Sequence, residues 1–137
     1  MPPVQVLFVC LHGSAKSLIA AEHFRRLAAE RGVAVEATSA GTEADSEVPP
    51  RVIHGLLAEG IDVRGRRPRQ VTREDVAEAS RVVTFACDLG DLAPNGITLD
   101  RWDDVPAVSE DFKRARDVIV TRVSQLLNEC AQSASSA

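Results

Sequence analysis

The chain has 137 residues, 45% hydrophobic and 26% charged, with a formal net charge of -4. That is enough for one domain with its own core, too acidic to suggest a nucleic-acid partner, and without the roughly 18 consecutive apolar residues a membrane span needs. Its three cysteines, Cys10, Cys87 and Cys130, are too few and too scattered for a disulfide framework or a zinc site. They predict reduced thiols, a cytoplasmic location, no metal and no cofactor. The start, "MPPVQVLFVC", enters a strand pattern at once and lacks the basic, apolar leader of an exported chain.

Val4 to Val9 is short, apolar and β-rich, the pattern of a strand buried on both faces. From Ser17 the period changes. Leu18, Ala21, Phe24, Leu27 and Ala28 recur at helical spacing and are expected to face the core. Glu22, His23, Arg25, Arg26 and Glu30 are left for the wetter side, and Gly32 stops the helix. "VAVEATSAG" reads as a second strand running into a turn. Pro49 and Pro50 open a second helix, "RVIHGLLAEG", with glycine after its end.

A basic connection, "IDVRGRRPRQV", then leads to Thr72, expected to cap the short helix "REDVAEA" with Glu74 and Asp75 in its first turn. The connection is a solvated surface segment that can also steer anions. "RVVTFAC" and "GITLDRW" read as two further buried strands. Ser109 is the expected cap of the last helix, "EDFKRARDVIVTRVSQLLNEC". The domain is expected to occupy residues 1–131, and the small, polar tail 132–137 to be disordered.

Strands alternating with helices predict a single α/β domain, a parallel sheet covered by helices on both faces. Ligands of such sheets bind at the carboxyl ends of the strands, and Cys10 sits at one. The loop that follows, "CLHGSAKS", has the make-up of an anion cradle. Gly13 permits backbone angles closed to other residues, and Ser14 and Ala15 keep the loop slim. Leu11, His12, Gly13, Ser14, Ala15, Lys16 and Ser17 lead into a helix, where unpaired N–H groups converge at the positive end of the helix dipole. A cysteine at the rim of that cradle is favoured as a thiolate nucleophile. Lys16 supplies a cation, and Ser17 a hydrogen bond to the thiolate. A nucleotide-binding loop is excluded, because Ala15 rather than glycine precedes Lys16.

These residues resemble the signature of the low-molecular-weight protein tyrosine phosphatases and of the arsenate reductases that share their fold. That signature is Cys, five residues, Arg, then Ser or Thr, after a strand like "VLFVC". Cys10 and Ser17 match it in type and spacing. "SAGT" at 39–42, "LLAEGIDV" at 56–63, "RVVTFAC" at 81–87 and the stretch from Trp102 to Phe112 carry the resemblance over nearly the whole chain. It implies a four-stranded parallel sheet with flavodoxin-like winding. It also implies a cysteine that attacks phosphorus or arsenic, an arginine that clamps the oxygens and an aspartate on a late loop as general acid. Three departures stand out. Lys16 replaces the arginine, so a two-pronged clamp becomes a point charge. Gly13 stands where the family usually has asparagine. In "RWDDVPAVSEDF", Val105 interrupts the family's Asp-Pro, which leaves Asp103 and Asp104 as candidate acids, with Asp104 preferred.

The chain has no tyrosine, its one tryptophan, Trp102, ends a predicted strand, and "EADSEVPP" offers no aromatic ring. The site is therefore expected to be shallow and to take phosphate, arsenate or a similar oxyanion, with no nucleic-acid or membrane partner. The reading placed first is Cys-dependent hydrolysis of a small or protein phosphate ester, weakened by Lys16. The second is arsenate reduction, with Cys87 as a possible redox thiol and an external thiol reductant. The further cysteine of the intramolecular cascade is missing, since Ala93 precedes Pro94. Cys10, Gly13 and Ser17 also resemble the Cys-x-x-Gly-x-x-x-Ser of cysteine-phosphorylated sugar-transport components, which makes a phosphate carrier a further alternative. An anion-binding family member with little turnover completes the set.

Overall fold

β1 (Val4–Cys10) alternates its side chains between two apolar clusters, and this fixes its place in the fold. Val6, Phe8 and Cys10 join one cluster, Leu7 and Val9 the other. A strand buried on both faces belongs inside the sheet. Accordingly β1 pairs in parallel with β2 (Val35–Gly41) on one side and β3 (Arg81–Thr84) on the other. β4 (Leu99–Arg101) pairs in parallel with β3, giving the order β2-β1-β3-β4. This is the single α/β domain, with a four-stranded parallel sheet, that the sequence predicts. The computed structural model behind this description covers residues 4–94, 97 and 99–135. Of the predicted strand "GITLDRW", residues 96 and 98 lie outside the described set, as do 1–3 at the start and 136–137 of the tail.

α1 (Lys16–Arg31), α2 (Pro50–Leu57) and α4 (Phe112–Ser135) cover the face toward which Phe8 points. α4 does so with a stripe of Ala115, Ile119, Val123, Leu127 and Cys130, spaced three or four residues apart and fully buried or nearly so. The opposite face packs against Val76 of α3 (Arg73–Glu78) and against Leu89. α3 is capped as expected: the Asp75 N–H donates to Thr72 Oγ1 at 3.1 Å, and the Thr72 N–H to Asp75 Oδ2 at 2.9 Å.

Three local expectations need correction. The cap of α4 is Asp111, whose Oδ1 accepts the Arg114 N–H at 3.0 Å; the Ser109 carbonyl instead accepts from the Arg51 guanidinium. α4 runs on to Ser135, so 132–135 is helical rather than disordered; no glycine or proline interrupts it after Asp111. Glu22 and His23, assigned to the wet side of α1, are buried because long side chains cover them. Arg66 pairs with Glu22 at 2.8 Å, and His23 Nε2 lies 2.8 Å from Glu59 Oε2. Among the described residues no helix is long and apolar enough to cross a membrane.

Candidate active site

β1 delivers Cys10 to the carboxyl edge of the sheet, and the chain turns at once into the loop that opens α1. Two glycines make the turn possible. Gly13 sits at φ 65, in the left-handed region, and its backbone lies against that of Gly41 in "SAGT". A Cβ on Gly13 would fall 2.6 Å from the Gly41 nitrogen, and one on Gly41 would fall 2.6 Å from the Gly13 nitrogen. The segment after β2 is therefore able to lace onto the outside of the loop. The N–H groups of Thr42, Glu43 and Asp45 donate to the carbonyls of Cys10, Leu11 and His12 at 3.1, 2.7 and 3.0 Å. Those carbonyls are thereby turned outward.

The thiol receives the opposite treatment. The Gly13 N–H points back to Cys10 Sγ at 3.2 Å, and Ser17 Oγ lies 3.1 Å from the same sulfur. Ser17 Oγ is also 3.4 Å from the Ala40 carbonyl, and the hydroxyl has one proton to give. A neutral thiol leaves that proton to Ala40, whereas a thiolate draws it to sulfur. The N–H groups of Leu11, His12, Ser14 and Ala15 meet no protein acceptor among the described residues. Cys10 and these four residues line a cavity of about 350 Å³ with Lys16, which makes no ion pair among the described residues. The loop residues singled out from the sequence are thus brought together, with Ser17 buried behind the thiol.

Three parts of the cavity wall come from elsewhere. Asp45 accepts from the Ser14 hydroxyl at 2.9 Å and lies 3.3 Å from His12 Nδ1, so one carboxylate braces two side chains of the loop. Its only trace in the sequence is the acidic turn after "SAGT". Phe85 gives the cavity an aromatic wall that no local sequence pattern assigns to it, and Val108 a second apolar one. Trp102 stands behind Phe85, its ring centroid 5.5 Å away and edge-on, and does not line the cavity. The volume sits at the lower end of the roughly 300–1,000 Å³ usual for small-molecule sites, more than a bare oxyanion requires.

The two candidate acids separate. Asp104 Oδ2 pairs with the Arg122 guanidinium of α4 at 2.6 Å, and that guanidinium lies 5.9 Å from the centroid of the Trp102 ring. Asp103 Oδ1 accepts the N–H of Ala86, a cavity-lining residue held at φ 53, at 2.9 Å. Cys87 follows directly. Its S–H donates to the Val9 carbonyl at 3.4 Å, and it packs half-buried against the cluster on the α3 face. Burial pushes its pKa up, and the negative charges of Cys10 and Asp103 push it further. Cys130 lies on the buried stripe of α4, where burial also raises its thiol pKa.

The family model described as low molecular weight phosphotyrosine protein phosphatase matches residues 5–96. The chain belongs to this family. It is 27% identical over 127 residues to a Halobacterium salinarum protein named "Putative arsenate reductase", with 89% of each chain covered. The crystal structure of YfkJ from Bacillus subtilis superposes with a TM-score of 0.81 at 26% identity, covering 96% of both chains. A thioredoxin-dependent arsenate reductase from Corynebacterium glutamicum also gives a TM-score of 0.81, at 28% identity, over 96% of this chain and 64% of that one. Members of this phosphatase family and arsenate reductases thus share one scaffold, and the side chains around the cavity must decide between their chemistries.

Proposed function

We propose that the protein is a Cys10-dependent phosphatase that hydrolyses a small or protein-borne phosphate ester in a reducing, cytoplasmic setting, with Lys16 in the place the family gives to arginine. One observation carries the reading: the Gly13 N–H donates to Cys10 Sγ at 3.2 Å, and the Ser17 hydroxyl, able to donate to a thiolate, lies 3.1 Å from the same sulfur, at the mouth of a loop with further unpaired N–H groups. In this mechanism Cys10 Sγ attacks phosphorus, and the bond to the leaving oxygen breaks. That oxygen takes a proton from a carboxyl group, and water then hydrolyses the cysteinyl-phosphate. Ser17 and Gly13 stabilise the sulfur as it departs in the second step. The loop N–H groups and Lys16 bind the phosphoryl oxygens, Lys16 as a point charge without the two-pronged geometry of a guanidinium.

For the proton donor we favour Asp103 over Asp104. Asp103 is tied to a residue of the cavity wall, whereas Asp104 is engaged by Arg122. Arsenate reduction is the second reading, supported by the proximity of Cys87 and by the name of the H. salinarum relative. It would require a thiol to supply two electrons to the Cys10–arsenate adduct. Cys87 is a poor candidate for that step, because its protonated form is the favoured one. An external thiol fits better.

The deciding experiment measures p-nitrophenyl phosphate hydrolysis and arsenate-dependent thiol oxidation side by side. Cys10→Ser is expected to abolish whichever activity is present, since a serine hydroxyl is not ionised at neutral pH. Lys16→Ala should lower phosphatase kcat/KM about 100-fold, the usual scale for losing one preorganised electrostatic contact. Lys16→Arg should retain or raise it. Hydrolysis that survives Cys10→Ser would overturn the proposal, and turnover with arsenate alone would put the reductase first.

A further inference from the structure

β2 is an edge strand, with β1 on one side only. Along a strand in a parallel sheet, alternate residues turn both backbone groups to the same side. Gly41 turns its pair outward: its N–H donates to the Arg69 carbonyl, and its carbonyl accepts from the Val71 N–H, each at 2.9 Å. Thr42, one residue on, turns its N–H inward to the Cys10 carbonyl. Ala37 and Ser39 share the phase of Gly41, so their N–H and C=O groups also face outward. Neither residue has an outward partner among the described residues.

The segment around Gln70 begins a fifth strand here, in a single parallel bridge with Gly41, but takes it no further. With Pro68 just before the bridge, the basic connection stands off from β2 and leaves a cleft of about 240 Å³. Thr38 and Ser39 form one wall, and Arg25, Arg66, Arg67 and Arg69 stand around it. Glu22, at the floor, is shared by Arg66 at 2.8 Å and Arg25 at 3.7 Å, and Arg69 is paired with Asp75. Arg67 has no ion pair among the described residues. Four guanidiniums against two carboxylates leave the cleft positive.

A free anion could use the arginines but not the outward carbonyls of Ala37 and Ser39, which need donors. An extended peptide supplies donors and acceptors at the same pitch. We propose that this cleft docks an extended acidic segment of a partner protein, which adds to β2 as a short strand at Ala37 and Ser39 and sets acidic side chains among Arg25, Arg66 and Arg67. Side chains of such a strand alternate between the two faces of the sheet. Toward α1 they meet Arg25 and Arg66; toward α3 they meet the carboxylates of Glu36, Asp75 and Glu78. The segment is therefore acidic at every second position and not between. The docking does not depend on the chemistry at Cys10.

The test titrates the 15N-labelled full chain with the peptide Ac-Thr-Glu-Thr-Glu-Thr-NH2 and with its lysine counterpart. The acidic peptide should shift the amide signals of residues 37 and 39 and slow their hydrogen exchange. Its affinity should fall with added salt, and by about fivefold or more in Arg67→Glu, a charge reversal at an exposed position. The lysine peptide should not bind. Equal binding of both peptides, binding untouched by Arg67→Glu, or no change at residues 37 and 39 would overturn the proposal. So would the same shifts from free glutamate or sulfate, which would make the cleft a small-anion site.

Discussion

Two neighbouring strands end near a cysteine, and the protein treats the two thiols in opposite ways. Cys10 closes β1, and Cys87 lies just beyond the end of β3, next to it in the sheet. Around Cys10 the chain folds onto sulfur the Gly13 N–H, a donor, and the Ser17 hydroxyl, able to donate or accept. Around Cys87 it offers an acceptor, the Val9 carbonyl. A donor to sulfur stabilises negative charge there and an acceptor holds the thiol proton, so the two strand ends surround their sulfurs differently. Placement at a carboxyl strand end therefore does not by itself set a cysteine's hydrogen-bond partners. The backbone immediately after it does, and in this chain the difference begins with one glycine.

Gly13→Ala is the most severe way to break that contrast. The new Cβ would need a left-handed backbone and would meet Gly41 and Ala40 backbone atoms at 2.6 to 3.0 Å, none of which can swing aside. Left-handed strain costs about 1–2 kcal/mol and overpacking about 1–3, so a loss of about 3 kcal/mol is expected, or a Tm lower by about 10 °C. Thermal denaturation followed by circular dichroism reads the shift. The same change swings the N–H away from sulfur, and kcat/KM on p-nitrophenyl phosphate should fall about 100-fold in the folded fraction. A variant with the stability and activity of the parent would mean that the backbone around Gly13 relaxes freely, and that the turn does not prepare the thiol.

Asp103 carries one of the charges that raise the Cys87 pKa and is the acid proposed for Cys10, so it sharpens the comparison. If it is the acid for chemistry at Cys10, Asp103→Asn should cut kcat on a poor leaving group by about 10- to 100-fold and flatten the acid–base profile. On p-nitrophenol, which leaves unaided, the loss should be smaller. Asp104→Asn frees Arg122 and should change kcat less than threefold, since the exposed Asp104–Arg122 pair contributes at most about 1 kcal/mol. The reverse ranking, with Asp104→Asn the slower enzyme, would return the role to the residue favoured on sequence grounds.

That reversal of preference marks where the sequence stops being legible. The shape of the loop from Cys10 to Ser17 could be read because it rests on local spacing: a buried strand, a glycine, slim residues and a helix start. The same holds for the Thr72 cap and for the order of strands and helices. Asp45, Phe85 and Val108 could not be read as cavity walls, because they arrive from three separate connections that only the parallel sheet brings to one edge. The preference proposed for Asp103 over Asp104 rests on Arg122, which reaches Asp104 from α4, a distant segment. Glu22 and His23 follow the helical period of α1 correctly, yet are buried by Arg66 and Glu59 from distant segments. Local pattern predicts which face a residue takes, but not what will come to cover it.

The smallest expected effect is on catalysis by Cys87 itself. Cys87→Ser should leave phosphate-ester hydrolysis within about twofold, because the mechanism proposed for Cys10 needs no second thiol. Its raised pKa can be read separately, by mass-spectrometric mapping of iodoacetamide labelling in the full chain across pH. A free thiol has a pKa of about 8.5 and begins to label measurably near neutral pH. Cys87, held protonated by burial and by the negative charges of Cys10 and Asp103, should label more slowly than a free thiol and require more alkaline solution. The stability linkage follows the same sign. With the folded pKa above the unfolded one, the native state keeps its proton longer than the unfolded chain. Its contribution is whole below about pH 8.5 and is lost as the pH rises through the folded value. Cys130 contributes in the same direction, so Cys87→Ser should lessen the alkaline loss of stability without abolishing it. Asp103→Asn removes one of the charges that raise Cys87 and should shift its labelling curve to lower pH. Labelling of Cys87 at neutral pH as fast as a free thiol would show that both strand ends carry reactive sulfur, and would make Cys87 a competent partner for a disulfide with Cys10.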